Sequence, residues 1–192
     1  MLDAALPDLP ADLDAVRTHV LAHSVKRGDF VLKSGVRSTW FCDTKQTVCR
    51  PDGIVLVADA MLRLIGELDE PPTSIGGLTM GADPVAFGVA AVAATRGVDL
   101  RSFSVRKEAK GHGVTGRLAG ALEPGDRVVI TEDTTTRGTS LMEAVEVVRA
   151  FGAEPVLATV VVDRGRTCAR LCADAGIAYR PLLTASDLGF DD

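Results

Sequence analysis

An α/β fold, with a central parallel sheet flanked by helices, is predicted by three features of this chain. From about residue 74 onward, short apolar runs bounded by turn residues alternate with segments whose apolar residues recur at helical spacing. Strands separated by helices imply parallel pairing through right-handed crossovers. Aromatic residues make up only 4% of the chain while Ala, Val, Leu and Gly abound, which suits close helix-on-sheet packing better than stacking on nucleic-acid bases. Finally, 192 residues that are 46% apolar can bury the core of a single domain.

The first eleven residues are acidic and proline-bearing, lack the charged start and apolar core of a signal peptide, and are expected to form a loose tail. Asp12 is the expected cap of a helix reaching about Val25, because Leu13, Val16, Val20 and Leu21 recur at helical spacing. His19 and His23 lie one turn apart on it, but no third ligand is near, so they are expected on a partly exposed face. Residues 30–32 and 39–43 predict a hairpin around a turn containing Lys33 and Gly35. The helix and hairpin, residues 12–50, form a small appendage to a core over 51–192.

The core opens with a helix after Pro51, reaching about Leu68 and burying Ile54, Val57, Ala58, Met61 and Ile65. Strands are predicted over 74–78, 99–105, 127–131, 155–162 and 178–183, and helices over 84–95, 139–151 and 168–175. Ligands of such sheets bind outside the carboxyl ends of the strands. Thr79 to Gly81, Arg106 and Lys107, Glu132 and Asp133, and Asp163 and Arg164 all fall at those ends, so the notable polar residues converge on one edge.

The most informative segment is Arg127 to Ser140. Val128, Val129 and Ile130 make a strand covered on both faces, and Leu141, Val145 and Val148 then recur at helical spacing. Between them stand the hydroxyls of Thr134, Thr135, Thr136, Thr139 and Ser140. Gly138 lets a ligand approach the backbone, and the free amides of the helix start point at the same place. Two carboxylates, Glu132 and Asp133, would repel a bare phosphate but accept hydrogen bonds from the hydroxyls of a ribose. A phosphorylated sugar satisfies both features. No Gly-Lys-Ser/Thr follows, which excludes a Walker loop.

A net charge of −5 gives no general attraction for polyanions, so no nucleic-acid partner is expected and phosphate must be bound by a local cluster. Arg106, Lys107, Lys110, His112 and Arg117, interleaved with four glycines, form such a cluster in a flexible loop suited to closing over pyrophosphate. A solvated hairpin with incidental charge is the plainer alternative. Cys42, Cys49, Cys168 and Cys172 have no zinc-site spacing and are expected to be reduced and mostly buried. No apolar run approaches the ~20 residues of a membrane helix, so a cytoplasmic protein without a membrane partner is expected.

The strand, acidic pair and hydroxyl-rich turn resemble the 5-phosphoribosyl 1-diphosphate (PRPP) signature of type I phosphoribosyltransferases. The segments Phe30-Val-Leu-Lys-Ser-Gly35 and Arg106-Lys-Glu-Ala-Lys-Gly-His-Gly113 narrow the resemblance to the orotate phosphoribosyltransferases, over roughly residues 13 to 189. It implies a type I phosphoribosyltransferase-like fold with a small N-terminal hood, and a pentosyltransferase that joins orotate to PRPP, giving orotidine 5'-monophosphate and pyrophosphate in pyrimidine synthesis. It further implies Mg2+ held through ligand oxygens and not by a protein cage.

By the same resemblance PRPP falls to Arg106, Lys107, Lys110, His112, Glu132, Asp133, Thr134, Thr135, Thr136, Arg137, Gly138, Thr139 and Ser140. Orotate falls to Lys33, Phe41, Thr136 and Arg164, and catalysis rests on Lys107, Lys110 and Asp133. A homodimer is implied, its loop over 106–117 shared across the interface. Many relatives carry a lysine in the loop after the first sheet strand, where this chain has Met80, which leaves the amides of Thr79 to Gly81 to stand in. Two alternatives stay open: a purine or uracil phosphoribosyltransferase, for which a carboxylate-reading Arg164 has no use, and a non-catalytic sensor of PRPP. The sensor would ordinarily add a basic face or nucleic-acid-binding segment.

Overall fold

The computed structural model of the chain describes residues 6–31, 37–110 and 116–190, with the backbone alone at Val31 and Lys110. In order the elements are α1 (Ala11–His23), β1 (Val25–Val31), β2 (Arg37–Cys42), α2 (Lys45–Val48), α3 (Pro51–Gly66), β3 (Ser74–Leu78), α4 (Ala82–Thr95), β4 (Arg101–Lys110) and β5 (Gly116–Gly120). There follow β6 (Arg127–Thr135), α5 (Thr139–Phe151), β7 (Glu154–Asp163), α6 (Cys168–Asp174), β8 (Ala178–Tyr179), β9 (Leu183–Thr184) and a 3-10 turn over Ser186–Leu188.

The main sheet runs β5-β4-β3-β6-β7-β8, and β9 also pairs with β7. Its strands are parallel, as the alternation requires, except β5, which returns antiparallel along β4. The stretch expected as a flexible basic loop is thus in good part a hairpin. The last strand, expected whole over 178–183, is two short strands, although between them the Arg180 and Leu182 amides still donate to the Ala158 and Val160 carbonyls of β7 (3.0 and 2.8 Å).

Alternation along the central strands divides the interior into two layers. Val129 and Val161 face α1, α3 and α4, joining Val16, Val57, Met61 and Val89. Val128, Ile130 and Val160 face α5 and α6, joining Leu141, Val145, Val148 and Cys172. The apolar stripe predicted for α3 is buried at Val57, Ala58, Met61 and Ile65 and half-buried at Ile54. Three of the four free cysteines are buried; Cys49 is exposed.

Three expectations for the N-terminal region are corrected. The first helix starts at Ala11 behind Pro10, so Asp12 lies inside the first turn, where it pairs with Arg63 on α3 (2.5 Å) rather than capping. His19 is buried because α2 and α3 cover it: Nδ1 meets the Thr47 hydroxyl at 3.2 Å and Nε2 lies 3.4 Å from Asp52. Of the expected tail, the described part is tied down at two points: Arg17 donates to the Pro7 carbonyl (2.6 Å) and Leu9 packs on the core. β1 and β2 pair antiparallel as the expected hairpin, although β1 begins earlier, at Val25.

Candidate active site

The strand expected to stop at Thr131 continues through the acidic pair to Thr135, because β7 runs on beside it as far as Asp163. Glu132 and Asp133 therefore sit on a rigid strand end, and both are buried. The loop between β3 and α4 packs directly on them: a Cβ on Gly81 would lie 1.6 Å from Glu132 Oε1 and 2.7 Å from Asp133 Oδ1, so any larger residue there would have to displace the carboxylates. Asp133 Oδ1 accepts the Thr134 amide at 2.8 Å. From the other side Lys45 Nζ pairs with Asp133 Oδ2, and the Thr44 and Thr134 hydroxyls are hydrogen-bonded. The hood is thereby docked on the acidic strand.

Burial, and next the carboxylate of Asp133, push the Glu132 carboxyl up from 4.5 to about 8. Burial thus favours the protonated form of Glu132, and the Lys45 ammonium stands against Asp133. An acid whose pKa is raised on folding binds its proton more tightly in the native state. Stability therefore falls as pH rises from about 4.5 through about 8. Glu132→Gln removes this term, so thermal melts of the variant and the parent should diverge across that window, the variant gaining as pH rises. Parallel melting curves would show that Glu132 titrates normally.

The turn after β6 is built by its own side chains. The Thr135 hydroxyl accepts the Gly138 amide (3.0 Å), and Gly138 takes a left-handed φ of 76° to start α5. Gly138 offers no side-chain cap, so the first amides of α5 have no side-chain acceptor of their own from that position. With Thr134 tied to Thr44 and Thr135 facing inward, the hydroxyls left toward solvent are those of Thr136, Thr139 and Ser140. The neighbouring strand-end loop holds the turn closely: a Cβ on Gly165 would lie 1.8 Å from the Thr136 carbonyl oxygen. Gly165→Ala should lower the melting temperature by roughly 2–12 °C, the cost of overpacking against backbone, and weaken phosphate binding with it. An unchanged melting curve would mean that the turn yields.

Arg164 closes the other side. Its amide donates to the Thr135 carbonyl at 2.8 Å, its Nη2 lies 3.3 Å from the Trp40 carbonyl, and its guanidinium carbon stands 4.1 Å from the Trp40 ring centroid. It makes no ion pair with Asp163, whose carboxylate instead accepts the Gly165 amide (2.9 Å) and the Tyr179 hydroxyl (2.7 Å). Phe41, half exposed, lies beside Phe30 with ring centroids 5.8 Å apart.

Of the basic hairpin, Arg106 donates to the Leu118 carbonyl at 3.2 Å and Arg117 pairs with Glu143, tying the hairpin to α5, while Lys107 is exposed. Lys33 and His112 lie outside the described residues, as does the side chain of Lys110. The Met80 side chain is exposed; beside it the Thr79 amide, one of the three expected to stand in for a lysine, already donates to the Val105 carbonyl (2.8 Å). Lys45 was not foreseen. It stands in a four-residue helix, too short for a periodic signal, and 88 residues from its partner.

Among the described residues no group of three or more His, Cys, Asp or Glu side chains is placed to hold a metal. Two adjacent carboxylates, one of them already paired with Lys45, fit a divalent ion carried on the oxygens of a diphosphate and ribose better than one caged by protein. No described helix is long and apolar enough to cross a membrane.

Comparison with known proteins places the chain in a family. Residues 50–172 match the phosphoribosyl transferase domain family. The chain is 35% identical to an orotate phosphoribosyltransferase of Rhodopirellula baltica, covering 98% of both chains. It is 40% identical to that of Streptomyces avermitilis over 88% of this chain and 92% of the relative. Its fold superposes with a TM-score of 0.78, at 31% identity, on the Mycobacterium tuberculosis orotate phosphoribosyltransferase in complex with PRPP, covering 93% of this chain and 99% of the other. Matched along nearly its whole length in sequence and in fold, this chain belongs to the phosphoribosyltransferase family, among the orotate phosphoribosyltransferases.

Proposed function

We propose that this chain transfers the 5-phosphoribosyl group of PRPP to orotate, with the acidic strand, the Thr136 to Ser140 turn and the basic hairpin holding PRPP and Arg164 reading the base. The observation that carries the reading is the convergence, on one sheet edge, of a buried carboxylate pair, the unblocked amides of α5 and a buried arginine. The α5 amides and the turn hydroxyls suit the 5-phosphate. Asp133 and Glu132 accept the ribose hydroxyls, Glu132 as a neutral acid. The hairpin cations Arg106, Lys107, Lys110 and His112 meet the diphosphate. Lys33 and Phe41 border the base, and Thr136 lies between base and phosphate.

As the anomeric carbon–oxygen bond breaks, negative charge gathers on departing pyrophosphate and positive charge on the ribose ring. The hairpin cations stabilise the first and the single carboxylate charge of the acidic pair the second. A ring nitrogen of orotate then bonds to the anomeric carbon from the opposite face and releases its proton, which the departing pyrophosphate takes up. No covalent enzyme intermediate is needed, so positioning and electrostatics supply the rate. Magnesium, carried in on PRPP, would neutralise diphosphate charge there.

The chain works on this reading as one domain. Its active form is a homodimer, with the 106–117 segment shared across the interface, and its place is the cytoplasm. The test is loss of orotate absorbance in the presence of PRPP and magnesium, with uracil, hypoxanthine and adenine as competing bases. Turnover of another base alone would move the assignment to a sister activity; PRPP bound but never consumed would make the chain a sensor. Within the same assay Lys110→Ala should lower turnover at least ~100-fold, equivalent to about 2.7 kcal/mol of transition-state stabilisation. Unchanged turnover would remove the hairpin from the mechanism.

A further inference from the structure

The hood, the β7 strand end and the C-terminal turn meet in a column of four stacked groups. Trp40 of β2 lies face to face with Phe190, ring centroids 4.2 Å apart and planes 5° from parallel. The guanidinium carbon of Arg164 stands 4.1 Å from the Trp40 centroid, and that of Arg27 stands 4.9 Å from the Phe190 centroid. Groups so close to one ring must occupy opposite faces. The order is therefore Arg164, Trp40, Phe190, Arg27: two groups from the β1-β2 hairpin, where Arg27 and Trp40 are register partners, and two from the C-terminal end of the sheet. Phe190 is set into it by a hydrogen bond from its amide to the Ala185 carbonyl (3.0 Å) across the 3-10 turn.

Arg164 is 9% exposed, and its Nε has no hydrogen-bond partner among the described residues. A buried donor left open is costly unless a ligand completes it. Arg164 and Phe190 also border one cavity of about 240 Å³, which Thr184 and Ser186 line as well. A carboxylate is gripped by two parallel N–H groups only when the guanidinium plane is already aligned with it. A ring pressed against that plane fixes it.

We propose that Trp40 and Phe190 are positioning residues for base selection: they hold the Arg164 guanidinium in the plane that receives a ligand carboxylate, which makes the C-terminal turn part of the specificity machinery. The inference rests on the base-reading role of Arg164. Phe190 touches no reacting atom; it acts through Trp40, and Trp40 acts on Arg164.

Phe190 is a buried member of the first core layer, so Phe190→Ala is tested with its melting curve alongside and with Phe190→Tyr as the conservative control. Loss of one stacking partner should raise KM for orotate about tenfold, with KM for PRPP and kcat within about twofold, and Phe190→Tyr should restore it. Trp40 is the only tryptophan, so its emission should change when orotate is added to the parent protein, and change less in Phe190→Ala. Equal rises in both KM values with a lowered melting temperature would make Phe190 merely structural and overturn the proposal. So would a parental orotate KM in an active Phe190→Ala protein. A parent protein that neither consumes orotate nor changes emission with it would overturn the base assignment itself, and this proposal with it.

Discussion

Asp133→Asn should lower kcat/KM for PRPP at least about a hundredfold, a loss of about 2.7 kcal/mol, whereas Glu132→Gln should stay within about tenfold of the parent at pH 7. The two acids are adjacent and equally buried, yet the structure makes them different. Glu132 is pushed up to about 8 by burial and then by Asp133, so a neutral amide mimics it well. Asp133 is the one paired with Lys45. Removing its charge withdraws the carboxylate that faces a developing positive ring and leaves the Lys45 ammonium unpaired beside it. Steady-state kinetics with PRPP varied at saturating orotate measure both. Equal losses in the two variants would show that the pair shares its charge evenly. A larger loss in Glu132→Gln would reverse the assignment.

That asymmetry was invisible in the sequence, where Glu132 and Asp133 are merely two acids before a threonine turn. It depends on Lys45 and Gly81, which approach from elements distant in the chain. What the sequence did disclose is local. The runs Val128 to Ile130 and Val160 to Val162 are uniformly apolar because both faces of these strands are covered, and each is followed at once by its polar residues, so strand, edge and site were legible together. β5 was not. Gly116-Arg-Leu-Ala-Gly120 contains little apolar surface, and as an edge strand it needs little, so nothing in its pattern competes with a loop. The burial of His19 was equally hidden, because Thr47 and Asp52 supply it from across the chain. Arg164 could be placed at a strand end but not oriented, since Trp40, whose ring and carbonyl it meets, lies 124 residues away in sequence.

Arg164→Ala is expected to raise KM for orotate by at least about thirtyfold while KM for PRPP moves less than about threefold. Truncating one partner of a buried, hydrogen-bonded charge pair costs about 2–5 kcal/mol, and the lower end of that range already gives the thirtyfold effect. The selectivity follows from how the residue is attached. Its link to the phosphate turn is the backbone hydrogen bond from its amide to the Thr135 carbonyl, which alanine keeps. Its side chain, by contrast, is committed to the Trp40 ring and carbonyl. Arg164→Lys should recover little, because an ammonium neither stacks flat on an indole nor presents two parallel donors to a carboxylate. Orotate and uracil differ by that carboxylate, so the ratio of their kcat/KM values should narrow in both variants, chiefly through loss of orotate. If instead both substrates weaken together, Arg164 supports the turn and the base carboxylate is read elsewhere.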